Sequence, residues 1–123
     1  MIPTPMTSPR TGVGLGAGPD GCVYAAGGSP DGSDALRSAE RLDLRARAWE
    51  PLPDMINRRG YVAAAFDARG DFYVHGGYNE WGQIIPFVEV FDVRAHRWRP
   101  ATVDLDEPED IVRAQHALLW TTL

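Results

Sequence analysis

Trp49 and Trp98 each stand 21 positions after a glycine pair, Gly27-Gly28 and Gly76-Gly77. Displacing the chain by 49 residues without a gap lays Met6 on Met55, Arg10 on Arg59, Gly21 on Gly70 and Tyr24 on Tyr73. The same shift superposes Glu40 on Glu89, Asp43 on Asp92 and Pro51 on Pro100, together with both glycine pairs and both tryptophans. A fixed period of about 50 residues means that one supersecondary unit is repeated and buries its apolar faces against its neighbours. The 123 residues therefore hold two full units and the start of a third.

Each unit reads as four short strands. In the first, the small-residue run from Gly12 to Gly18 is the innermost strand, followed by 22–26, 37–44 and the Trp-bearing 48–52. In the second, 61–66, 72–75, 85–93 and 97–100 are rich in aromatic and β-branched residues and are separated by turn formers such as Asp67-Ala68-Arg69-Gly70-Asp71. Glycine and proline interrupt the chain too often for a helix of ten residues. The expected fold is all-β, with two four-stranded antiparallel meanders. In domain terms, 1–9 is an extended N-terminal segment, 10–52 and 53–101 are the repeats, 102–112 is an acidic linker, and 113–123 is the first strand of an incomplete third repeat.

These residues resemble the kelch repeat. Arg10 and Arg59 stand near the start of the first strand, Gly27-Gly28 and Gly76-Gly77 close the second, Glu40 and Glu89 lie in the third, and Trp49 and Trp98 mark the fourth. Two copies with equal spacing make the match specific, although Leu42 and Phe91 stand where the family usually has Tyr. The resemblance implies blades of a β-propeller. Rings of this kind close with about four to eight blades, so two blades imply either a piece of a longer protein or a homo-oligomer that completes the ring. It also implies a non-catalytic protein–protein interaction module that binds a partner peptide on a face formed by loops. The alternatives are a fragment of a galactose-oxidase-like or sugar-acid-isomerase-like propeller enzyme and a truncated structural relic.

In an up-down-up-down blade, the loop between strands two and three shares a face with the connection to the next blade. That face gathers 29–34, 51–58, 78–83 and 101–112. Arg10, Arg59 and Arg113 occupy equivalent places near it and suit bidentate capture of carboxylates, and pairing with neighbouring acids is their structural alternative. Glu40 and Glu89 lie inside alternating strands, where burial demands a partner such as Arg. Tyr78 and Trp81 belong to a loop whose tryptophan has no counterpart in the first repeat, where Gly32 stands. An exposed loop tryptophan is a typical anchor for a partner, and packing against the neighbouring blade is the competing role.

Composition narrows the partner. A formal net charge of −5 argues against nucleic acid and anionic membrane, both of which reward clustered positive charge. All twelve basic residues are arginines. Cys22 is alone, which excludes an internal disulfide, and a soluble, cytoplasmic scaffold follows as the expectation. Gly16, Gly18 and Gly21 fit a dinucleotide-loop spacing, but a strand rather than a helix follows them. His75, His96 and His116 are dispersed and no paired-ligand spacing occurs. The sequence calls for no cofactor, no metal and no catalytic residues.

Overall fold

The computed structural model of the chain describes residue 6 and residues 8–101. Eight strands follow one another: β1 (Gly14–Ala17), β2 (Cys22–Ala26), β3 (Ala39–Asp43), β4 (Ala48–Leu52), β5 (Ala63–Phe66), β6 (Phe72–His75), β7 (Val88–Asp92) and β8 (Arg97–Ala101). They form two antiparallel sheets in the orders β1-β2-β3-β4 and β5-β6-β7-β8. Every strand pairs with its neighbour in sequence, so each sheet is a meander. The segment expected as a third-repeat strand, 113–123, and the acidic stretch 102–112 lie outside the described residues, as does most of 1–9. Among the described residues no helix is long and apolar enough to cross a membrane.

The two sheets share one register. The row Gly16, Tyr24, Arg41, Glu50 in the first matches Ala65, Tyr73, Val90, Arg99 in the second. Four strands, β1, β3, β5 and β7, are shorter than the sequence suggests. β5 begins at Ala63 rather than at position 61 because Tyr61 has a φ of 57°, and a left-handed residue cannot lie in a ladder. β7 begins at Val88 rather than at 85, because Ile84 pairs with Tyr78 in an isolated bridge and Pro86 lacks a ladder donor.

Alternation along the strands gives each sheet two apolar faces. Tyr24, Ala26, Leu52 and Met55 from the first repeat meet Ala64, Phe72, Val74, Phe91 and Trp98 from the second in one core. The Tyr24 ring stands edge-on to Phe66 at 4.9 Å and lies 5.5 Å from Phe72. On its other face the second sheet buries Tyr73, Val88 and Val90. The glycine run of β1 is part of this packing: a Cβ on Gly16 would fall 2.7 Å from the Phe72 ring, and one on Gly14 would fall 2.8 Å from Ala64 Cβ. The glycines admit the second sheet.

Trp49 and Trp98 occupy the same register, opposite Leu42 and Phe91. Their surroundings differ. Trp98 faces the first sheet, is 9% exposed and donates its indole N–H to the Pro53 carbonyl at 2.8 Å. Trp49 is on the face turned away from that core and remains half-buried.

Candidate functional site

The most buried charges come from the repeat itself. Arg10 sends Nε and Nη2 to Glu40 Oε2 at 3.1 and 3.0 Å, Nη1 to the Gly27 and Ser38 carbonyls, and Nη2 to Ser38 Oγ at 2.9 Å. Forty-nine residues on, in both members, Arg59 Nε bonds Glu89 Oε2 at 2.7 Å and Nη1 bonds the Gly76 carbonyl at 3.2 Å. Glu89 also accepts the Ile56 amide. The four side chains are 0–1% exposed. Burial pushes the Arg59 pKa down, and the Glu89 carboxylate opposes that shift.

The structure places Arg10 and Arg59 in their structural alternative, paired with acids of the same repeat. Each guanidinium has no exposed surface, and its charge is already matched by a glutamate. They staple the segment leading into strand one to strand three in each repeat. Arg113 lies outside the described residues. The copies differ: Arg59 makes fewer hydrogen bonds than Arg10, and its Nη2 is buried without a partner. The atom's counterpart on Arg10 reaches Ser38 Oγ, and the residue matching Ser38 is Phe87.

Above the staples the connecting loops converge. The linker after β4 threads into the β2–β3 loop through backbone bonds: Met55 N to Arg37 O at 2.7 Å, Arg59 N to Leu36 O at 2.9 Å, and Gly28 N to Arg59 O at 2.7 Å. Gly27 makes this approach possible, since a Cβ there would fall 2.4 Å from the Arg59 carbonyl oxygen. The β6–β7 loop folds into a small hairpin, with Tyr78 bridged to Ile84. Asn79 Oδ1 accepts the amides of Trp81 at 3.0 Å and Gln83 at 2.9 Å. Trp81 at the tip is 76% exposed, and Tyr78 is 47% exposed.

Between the linker and this hairpin lies a groove of about 220 Å³, walled by Arg37, Ile56, Arg58, Glu80, Trp81 and Ile85. Arg37 pairs with Asp54 at 3.4 Å, both about half exposed. Arg58 makes one long hydrogen bond, to the Ala35 carbonyl at 3.4 Å, and no ion pair among the described residues. The groove thus offers an indole, two aliphatic side chains, an uncommitted guanidinium and a carboxylate. Such a surface can hold an extended segment; no side chain in it is set up as a nucleophile.

The remaining candidates are scattered. Tyr24 is buried, and its hydroxyl donates to Asp20 Oδ2 at 2.6 Å; burial and then this bond raise its pKa to about 12. Burial also raises the pKa of the half-buried Cys22 thiol. Among the described residues no three His, Cys, Asp or Glu side chains form a group that could hold a metal ion.

The Kelch motif matches the chain twice, over residues 15–56 and 58–102. The chain is a kelch-repeat protein. Its two sheets are blades of the kind from which β-propellers are built, and the Arg–Glu staples and glycine pairs recur in each. The kelch chain is 36% identical over 99 residues to an F-box/kelch-repeat protein of Arabidopsis thaliana, a match covering 79% of this chain and 23% of that one. A second Arabidopsis F-box/kelch-repeat protein is 41% identical over 80 residues, covering 63% and 22%. Kelch-like protein 8 of Caenorhabditis elegans is 36% identical over 59 residues, covering 48% and 8%. The kelch chain spans less than a quarter of the length of the Arabidopsis relatives it matches. Repeats of this family generally serve as protein-interaction modules.

Sequence reasoning placed 51–58 on this surface without singling out Ile56 or Arg58, and it missed Arg37, Ile85 and Tyr61. Ile56 and Arg58 lie in the linker and carry no repeat signature. Tyr61 did leave a signal: it stands where the first repeat has Gly12.

Proposed function

We propose that this kelch chain holds a segment of a partner protein on its loop face, in the groove between the linker and the β6–β7 hairpin. The observation that carries the reading is Trp81, 76% exposed at the tip of a hairpin pinned by Asn79. A large ring held on a hydrogen-bonded loop loses little conformational freedom on binding, which is what makes tryptophan an effective anchor. The aliphatic wall of Ile56 and Ile85 gives a partner side chain somewhere to be desolvated, and Arg58 and Glu80 give it polar neighbours.

The test is site-specific photo-crosslinking in cell extract. A benzoylphenylalanine at position 81 should trap a partner, whereas the same residue at exposed Leu44, on the turn at the opposite end of the blade, should not. Trp81→Ala should weaken a trapped partner roughly 30-fold, the effect of losing a hot spot of about 2 kcal/mol. Crosslinks formed from position 44 and not from 81 would move the binding surface to the other face.

A further inference from the structure

With Arg10 and Arg59 withdrawn into the blades, the loop face is left with an excess of negative charge. Among the described residues its remaining charged side chains are four carboxylates, Asp31, Asp34, Asp54 and Glu80, and two guanidinium groups, Arg37 and Arg58. Asp54 already engages Arg37. Asp31 uses one oxygen to accept the amides of Ser33 and Asp34, and those bonds hold its pKa below the usual carboxylate range, so it stays charged. Asp34 is exposed and forms no ion pair among the described residues.

Tyr61 stands beside this acidic loop. Its φ of 57° is matched by 64° at Gly12 in the first repeat, so the backbone demands a left-handed residue there. Glycine meets that demand freely, whereas a bulky aromatic residue is strained in it. Strain of this kind clusters at binding sites and persists where the surrounding structure enforces it. The ring crosses the blade junction: a Cβ on Gly12 would fall 2.6 Å from Tyr61 Cδ1, and the hydroxyl donates to the Gly32 carbonyl at 3.4 Å. Gly32 lies between Asp31 and Asp34. Tyr61 is still 51% exposed.

An open aromatic ring that touches a loop carrying Asp31 and Asp34 attracts a cation twice, through the quadrupole of the ring and through the negative charge of that loop. We infer that the partner segment on the loop face is basic, and that it lays a Lys or Arg side chain over Tyr61 beside Asp31 and Asp34. This rests on the loop-face reading and specifies its ligand. Tyr61 is then a specificity residue, retained in a strained conformation for its ring.

The experiment is a selection from a random peptide library displayed on phage, with the whole 123-residue chain as bait, followed by affinity measurements on the most enriched peptide. That peptide should be rich in Lys and Arg and bind more weakly as salt rises. Tyr61→Gly should weaken it roughly two- to fivefold, the range of an exposed cation–π contact, and Tyr61→Phe should keep the affinity. Asp34→Asn should weaken it by up to about fivefold. Tyr61→Gly should leave the thermal midpoint unchanged or raised, because the strain is relieved; a lowered midpoint would make the ring a structural prop and overturn the assignment. Enriched peptides that are acidic or uncharged, or that ignore Tyr61→Gly while being lost with Trp81→Ala, would sink this inference and leave the loop face standing. Peptides indifferent to both substitutions, or no enrichment at all, would sink both.

Discussion

The Arg59–Glu89 pair shows how context reverses the meaning of a residue. In the sequence, an arginine before an inner strand has the chemistry to hold a carboxylate, and it does so, but the carboxylate is thirty residues away in the same blade. Arg59→Ala should therefore destabilise the fold by about 3–5 kcal/mol, because Glu89 would be left buried and unpaired. Replacing both with methionine should cost far less, and chemical denaturation of the single and double variants separates the two cases. The unpartnered Arg59 Nη2 gives a second prediction. Phe87→Ser supplies the hydroxyl that Ser38 offers Arg10, and Phe87 is 62% exposed, so little packing is lost. A gain of about 0.5–1.5 kcal/mol is expected in the same assay. Tyr24 gives a third. It holds its proton more tightly folded than unfolded, so its contribution to stability is complete below pH 10 and is lost as the pH climbs towards about 12. Tyr24→Phe should flatten the loss of stability across that window, as followed by alkaline denaturation.

At the scale of the strands, most of the fold was legible because the pattern was written twice. The glycine pairs, the tryptophans and the turn residues fix the four-strand unit, and β2, β4 and β6 lie where their residues suggest. The ends of β5 and β7 were not legible, since a left-handed backbone at Tyr61 and a bridge from Tyr78 to Ile84 depend on how the loops pack rather than on local preference. The same limit applies to the candidate site. Trp81 was legible as an unmatched aromatic residue in a polar loop, whereas the burial of Arg10 and Arg59 followed from partners across the sheet. Nor could the repeat alone say which tryptophan carries more weight. Trp98 is enclosed by the first blade and Trp49 is half-buried. Trp98→Ala should cost about 3–5 kcal/mol, and Trp49→Ala clearly less, as read from thermal melts; equal losses would mean that blade contact does not set their contributions.

At the scale of the whole molecule, the proposed recognition surface and the stabilising contacts lie in different layers. The staples and ring contacts sit within and between the blades, while the groove, the Trp81 hairpin and Tyr61 ride above them on loops. The linker belongs to both layers. Its amides at Met55 and Arg59 donate into the first blade's loop, and its carbonyl at Arg59 receives the amide of Gly28. A connector bonded in this way is not a hinge, and neither blade can swing free without breaking those bonds. The consequence appears in the kinetics of isotope exchange. If the blades open only together, the amides of Gly28, Met55 and Arg59 should exchange with deuterium at the slow pace of the strands and share a single opening free energy, whereas the hairpin around Trp81 should exchange sooner and alone.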